Sequence, residues 1–246
     1  MNEIITAAIL AIGDELLSGR TKDKNIAYLA NFLTLKGIDL KEARIVSDDQ
    51  DAIVKAVNEL RSEYDYVFTS GGIGPTHDDI TADAIAAAFG VGIDHDPRAM
   101  AILEPHYAAR DMEFTTARKR MARLPDGSEL IENKVSMAPG FNIGNVYVMA
   151  GVPAIFQAMV DALAPDLKSG VQLLTKSIDS PFGEGTIGDG LASIQKAHPE
   201  TAIGSYPRFD GETYTTQILA RSRSEEAIDA AISDIAQLFE ELGKKK

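Results

Sequence analysis

Thr69-Ser70-Gly71-Gly72-Ile73-Gly74-Pro75-Thr76-His77-Asp78-Asp79-Ile80-Thr81 joins two segments of opposite character. Ahead of it, Tyr64-Asp65-Tyr66-Val67-Phe68 is an apolar run that reads as a buried strand. Behind it, the alanine-rich residues 82–89 read as a helix. The glycines therefore sit in a strand-to-helix turn, where backbone N–H groups face an anion at little steric cost and the helix dipole favours it. The candidate phosphate contacts are Ser70, Gly71, Gly72, Ile73, Gly74 and Thr76. Asp78 and Asp79 put two carboxylates beside that cradle, a combination suited to a metal ion bridging protein and phosphate. A structural reading competes: the glycines permit a tight connection, and Thr76 and Asp79 stand where helix caps belong. Spacing leaves open which of Asp78 and Asp79 caps and which faces a ligand. His77 reads as a proton donor, a metal ligand or a surface residue.

The flanking segments extend the pattern. Residues 4–12 form a nearly continuous apolar run, as in a strand buried on both faces of a parallel sheet. Residues 25–36 carry Ile26, Leu29, Ala30 and Leu33 at helical spacing and stop at Gly37. Residues 38–46 read as a strand, 52–60 as a helix and 64–69 as the third strand. This βαβαβα order with short loops predicts a doubly wound, mostly parallel α/β sheet with ligands at the carboxyl ends of its strands.

Further along, Pro97 opens a polar helical segment and residues 115–123 are strongly basic. Asn142-Ile143-Gly144-Asn145 reads as a hairpin turn between strands 135–141 and 146–149, and a helix over 154–163 follows Gly151-Val152-Pro153. Gly151 opens either a second anion-accepting helix start or an ordinary first turn with proline. Residues 164–170 break the pattern as a linker. Beyond them strand 171–178, helix 185–197, strands 202–206 and 213–221 and helix 224–242 read as a small α+β module. The expected domains are 1–168 and 169–246.

Acids recur at strand ends. Gly13-Asp14-Glu15 follows the first strand, Ser47-Asp48-Asp49 the second and Asp78-Asp79 the third. Neighbouring strand ends lie side by side in such a sheet, so Asp14, Asp48 and Asp79 outline a floor for a hard divalent cation such as magnesium or manganese. For Asp48 the alternative is a solvated cap on the helix that follows.

Composition narrows the classes. Hydrophobic residues make up 45% of the 246, enough for a real core, and there is no cysteine. Disulfides, thiolate metal sites and cysteine nucleophiles are therefore excluded. No apolar run is long enough to cross a bilayer, and the start Met1-Asn2-Glu3 lacks a basic signal-peptide region, so a cytoplasmic protein with no membrane partner is expected. The net charge of −13 disfavours nucleic acid, and the dense basic run Lys244-Lys245-Lys246 reads as a solvated end. A small anionic ligand stays compatible, because local N–H groups and a bound cation outweigh the global charge. Neither a G-x-S-x-G elbow nor a G-x-x-x-x-G-K-[ST] loop is present, which leaves serine hydrolase and standard P-loop chemistry without support.

Together these residues resemble the MoaB/MogA molybdopterin-binding superfamily, and in detail its CinA branch, the competence/damage-inducible protein A family. Ile12-Gly13-Asp14-Glu15-Leu16-Leu17-Ser18-Gly19, Asp23-Lys24-Asn25, Ala138-Pro139-Gly140-Phe141 and Gly204-Ser205-Tyr206-Pro207 carry the likeness along nearly the whole chain. The resemblance implies a three-layer α/β/α domain to about residue 165, then a KH-like module, in a short form without the C-terminal deamidase domain of longer members. It implicates Asp79 in catalysis with Asp48 as its partner, and brings Glu15, Asn25, Pro139, Gly140 and Gly151 into the candidate site. It also implies a divalent metal cofactor, Mg2+ with Mn2+ or Co2+ as substitutes, a small-molecule nucleotide or pterin as ligand, and a homo-oligomer. The expected activity is metal-dependent pyrophosphatase cleavage of ADP-ribose or a related dinucleotide, FAD included. The alternatives are molybdopterin binding or adenylyl transfer in molybdenum cofactor biosynthesis, and a non-catalytic nucleotide-binding protein. Ile73 stands where many members have threonine, and Gly151-Val152-Pro153-Ala154 replaces a more usual Gly-Pro-Pro-Ser.

Overall fold

The computed structural model describes residues 4–209 and 214–244. Met1-Asn2-Glu3, the strand start expected at Thr213 and the Lys245-Lys246 end of the basic tail lie outside them. The chain divides into two compact units, Met1–Gly170 and Val171–Lys246.

The first unit opens with β1 (Ile5–Ile12), the short α1 (Asp14–Leu17), α2 (Asn25–Lys36), β2 (Ile38–Val46), α3 (Gln50–Glu63), β3 (Tyr66–Ser70) and α4 (Thr81–Phe89). It continues with β4 (Ile93–His95), α5 (Pro97–Ala108), α6 (Thr116–Lys119), a 3-10 turn at Arg120–Ala122 and β5 (Arg123–Pro125). Then come β6 (Glu129–Ile131), β7 (Gly140–Ile143), β8 (Val146–Met149) and α7 (Pro153–Leu163).

Six strands form the central sheet in the order β2-β1-β3-β8-β7-β6. Strands β2, β1, β3 and β8 are parallel, and the β8-β7-β6 end is antiparallel. The apolar run of β1 is buried almost throughout, because helices cover both faces. On one face Ile53, Val57 and Leu60 of α3 and Ile85 of α4 pack with Leu10 and Val67. On the other, Leu29 and Leu33 of α2 and Phe156, Met159 and Val160 of α7 pack with Ile9 and Phe68. The result is a three-layer, doubly wound α/β sheet whose parallel strands end on one edge.

Boundaries moved where side chains tie the backbone. Asp49 accepts from Ala52 N at 2.9 Å and starts α3 two residues before the expected 52. The strand expected from 135 begins only at Gly140, since Asn133 Oδ1 accepts from the N–H groups of Val135 and Ser136 and folds that stretch into a turn. The basic run becomes α6 and the 3-10 turn.

The second unit runs β9 (Leu174–Ser180), α8 (Glu184–Ala197), β10 (Ala202–Phe209), β11 (Tyr214–Ser222) and α9 (Glu225–Lys244), with an antiparallel sheet ordered β10-β11-β9. Ile187, Ile218 and Ile235 form its buried centre. Alternate residues of β11 (Thr216, Ile218, Ala220, Ser222) are buried, so one face of this sheet is covered. Among the described residues no helix is long and apolar enough to cross a membrane.

Candidate functional site

The site forms where the parallel strands end. Backbone bonds stitch those ends together: Gly13 N donates to Val46 O at 3.1 Å, and Gly71 N to Met149 O at 3.1 Å. Gly71 holds φ +114°, and a Cβ there would stand 2.2 Å from Ile12 O, so only glycine lets β3 turn this close beneath the end of β1. The loop then folds back on α4. Thr81 N donates to Gly72 O at 3.0 Å, and Thr81 Oγ1 to Gly71 O at 3.0 Å.

Asp79 closes the loop rather than the helix. Its Oδ2 accepts from Thr76 N at 2.8 Å and Thr76 Oγ1 at 2.5 Å, and the carboxylate lies where a Cβ on Gly74 would fall, 2.6 Å from Oδ2. The residue that caps α4 is Ile80, with no side-chain cap bond. The capping role read for Thr76 and Asp79 is therefore corrected: both serve the turn. Asp78 and His77 point outward, with side chains 65% and 99% exposed, so of the acid pair Asp79 borders the cleft.

The second acidic pair divides its labour the same way. Asp49 caps α3, which leaves Asp48 free to reach sideways, where Oδ2 accepts from Asp14 N at 2.9 Å. Burial pushes the Asp48 carboxyl above the ordinary range, the Asp14 N–H opposes that, and the charges of Asp14, Glu15 and Asp78 add to it. Among the described residues no Lys or Arg pairs with Asp14, Glu15 or Asp48 within 4 Å.

The expected floor of Asp14, Asp48 and Asp79 does not assemble as one chelating set. Among the described residues no group of three or more acidic or histidine side chains is placed to hold a metal by itself. The reason is local: Asp14 turns into α1 and offers Asp48 its backbone N–H, while Asp79 is drawn toward Thr76.

Buried Asn25 joins the opposite wall. Its Nδ2 donates to Ser70 Oγ at 2.7 Å and to Gly151 O at 2.8 Å. Ser70 is thus engaged beneath the loop rather than lining the cleft. Gly151 lets this wall approach closely, since a Cβ on it would stand 3.2 Å from Gly71 Cα. Gly140 serves strand packing, its place for a Cβ lying 2.5 Å from Val148 O.

The cleft is open to solvent on one side and measures about 530 Å³. Gly71 to Gly74 form its floor, Met121, Val152 and Ile155 give it apolar walls, and among the described residues Glu15 and Asp79 are the charged ones lining it. Pro139 borders a smaller side cavity together with Asp83, Arg120 and Arg123. Sequence reasoning missed the wall built by Met121, Asn133 and Ser136, and the arginines behind the loop. The one available signal was the basic run at 115–123 in an acidic chain.

Residues 8–169 match the family described as a probable molybdopterin binding domain. The crystal structure of CinA from Thermoplasma acidophilum is 35% identical, with a TM-score of 0.61, covering 66% of this chain and 98% of that one. The chain belongs to the CinA-like branch of the molybdopterin-binding domain family. Another CinA-like protein, from Desulfosudis oleivorans, is 34% identical over 214 residues, which is 82% of this chain and 52% of the relative. A probable FAD synthase of Caenorhabditis elegans is 29% identical over 258 residues, 95% of this chain and 50% of its own length. The chain thus spans about half of either relative. Residues 172–244 match the middle domain of FAD synthase, so the small second unit of this CinA-like chain has its likeness there.

Proposed function

We propose that the cleft binds a nucleotide diphosphate and hydrolyses its anhydride, with ADP-ribose or a related dinucleotide such as FAD as substrate. The observation that carries this reading is the glycine floor with Glu15 and Asp79 on it, beside Asp14 and Asp48 carboxylates that, among the described residues, no Lys or Arg pairs within 4 Å. Gly71, Gly72 and Gly74 offer backbone N–H groups to phosphate oxygens, while Met121, Val152 and Ile155 suit a flat ring.

Mg2+ commonly takes one or two protein carboxylates and completes its shell with phosphate oxygens and water. Glu15 and Asp48 fit that partial set better than a protein-only cage. When bound there, Mg2+, Mn2+ or Co2+ supplies charge neutralisation of the diphosphate. Asp79 Oδ1, which Thr76 leaves free, orients the attacking water and accepts its proton. Water oxygen bonds to one phosphorus as the bridging P–O bond breaks, giving AMP and a sugar phosphate from ADP-ribose.

The test is product analysis with ADP-ribose, FAD and NAD, each with and without divalent metal. Metal-dependent AMP release from one of them supports the reading, and no product from any at high enzyme concentration overturns it. The family match favours molybdopterin binding, and the rival reading built on it is adenylyl transfer. ATP-dependent incorporation of AMP into molybdopterin would select it.

A further inference from the structure

The cleft as lined carries negative charge only, yet the ligand class proposed for it is anionic. The cation that answers this lies one layer behind the glycine loop. Arg123 grips Asp83 with a fork, Nη2 to Oδ1 at 2.8 Å and Nη1 to Oδ2 at 3.1 Å, which satisfies that carboxylate in bidentate geometry. Arg120 adds a second guanidinium to the same acid, Nη2 to Oδ2 at 3.2 Å, and also donates to the Asp79 carbonyl from Nη2 at 3.0 Å and Nε at 3.3 Å. Two guanidiniums therefore share one carboxylate, and Asp94, the other acid in the field of Arg123, is 91% exposed. Among the described residues Arg120 Nη1 makes no hydrogen bond. Arg120 lines a side cavity of about 20 Å³, room for a single oxygen-sized group, whose walls include Gly72, Ile73, Gly74 and Asp79. Those four residues also line the main cleft.

We propose that Arg120 is an anion-binding residue of the cleft, its Nη1 taking a phosphate oxygen that enters between the Gly72 to Gly74 loop and the 3-10 turn. Arg123 already engages both Asp83 oxygens, so Arg120 is the member of the pair with a donor to spare. A guanidinium suits this position because its donors are planar and forked, and one edge can stay on the Asp79 carbonyl while the other meets phosphate. This rests on the reading of the cleft as a diphosphate site.

The test is a titration of the full chain with inorganic pyrophosphate, without metal, at several salt concentrations. The wild type is expected to bind, Arg120→Met to bind at least tenfold more weakly with a shallower salt dependence, and Arg120→Lys to recover part of the loss. Asp83→Asn removes the competing carboxylate and is expected to tighten binding. Thermal melting checks that each variant is folded, and if Arg120→Met is not, the Lys and Asn variants decide the outcome. Equal binding by wild type and Arg120→Met overturns the proposal, as does absence of binding by the wild type. A weakened Asp83→Asn overturns it too, because a purely structural network loses from either side. Pyrophosphate binding does not require turnover. Arg120-dependent binding without AMP release would sink hydrolysis alone, while AMP release with Arg120-independent binding would sink this proposal alone.

Discussion

Asp14 and Asp48 are joined by a single bond, from the backbone N–H of Asp14 to Oδ2 of Asp48, 2.9 Å long, which ties the carboxyl ends of β1 and β2. The bond gathers negative charge at the mouth of the cleft, because Glu15 follows Asp14 and Asp78 acts on Asp48 from the glycine loop. Folding alone would not favour such a cluster. Sites that need a charge at a set place commonly carry groups held away from their ordinary pKa.

Asp48→Asn keeps an oxygen for the Asp14 N–H and removes the repulsion. The folded Asp48 carboxyl titrates above its unfolded value, so the folded state holds the proton more tightly. Its contribution to stability is present at low pH and is lost as pH rises through the folded pKa. The Asn variant should therefore melt at or above the wild-type temperature at pH 7, with the gap closing toward pH 4. AMP release should fall ~100-fold or more if the carboxylate serves the cation. A lower melting temperature at pH 7 with intact turnover would refute both halves.

Gly71→Ala and Gly74→Ala should separate folding from function. At Gly71 the added Cβ meets the Ile12 carbonyl at 2.2 Å from a backbone at φ +114°, and neither can give way cheaply. A loss of ~2 kcal/mol or more in urea unfolding is expected. At Gly74 the atoms nearest the Cβ are those of the Asp79 carboxylate, the end of a side chain, at 2.6 Å. That variant should unfold near wild type while turnover drops about tenfold or more, because Asp79 has been moved. Matching stability losses in the two variants would contradict this division.

Asn25 holds two cleft walls through one amide. Asn25→Ala strands the Gly151 carbonyl and removes the donor to Ser70, a loss of ~1–3 kcal/mol. Asn25→Asp should be worse, since it turns a carboxylate toward that carbonyl. Urea denaturation of the three proteins checks the order. An Asp variant as stable as wild type would show that the amide donor is dispensable.

Tyr28 on α2 donates from Oη to Asp161 Oδ1 on α7 at 2.7 Å. Burial, then the Asp161 bond and charge, push its phenol up to about 12. The protonated phenol is favoured by the fold, fully so below the ordinary value near 10, and that advantage is lost as pH rises through about 12. In an ultraviolet titration Tyr28→Phe should remove one late-ionising phenol, and at pH 7 it should cost ~1 kcal/mol. An unchanged high-pH step would show that the Asp161 pairing does not persist in solution.

Much of the fold was legible because its signals are local. The unbroken apolar run of β1 requires cover on both faces, and Gly71-Gly72-Ile73-Gly74 between an apolar run and an alanine-rich helix requires a tight strand-to-helix turn. Asp48 and Asp49 show where such reading stops. Both stand where a helix cap belongs, and which one turns sideways depends on Asp14, 34 residues away, reaching the neighbouring strand end.

The sequence by itself determined the layer architecture, the strand end at which the glycine loop lies and the concentration of acids there, because periodicity, glycine and charge act over a few residues. Only the tertiary structure decided that Asn25 bridges Ser70 and Gly151 across 45 and 126 residues, and that Arg120 stands behind the loop on the Asp79 carbonyl. Those contacts join groups whose spacing along the chain carries no period. They arise when packing on the two faces of the sheet brings remote segments within hydrogen-bonding distance of one another.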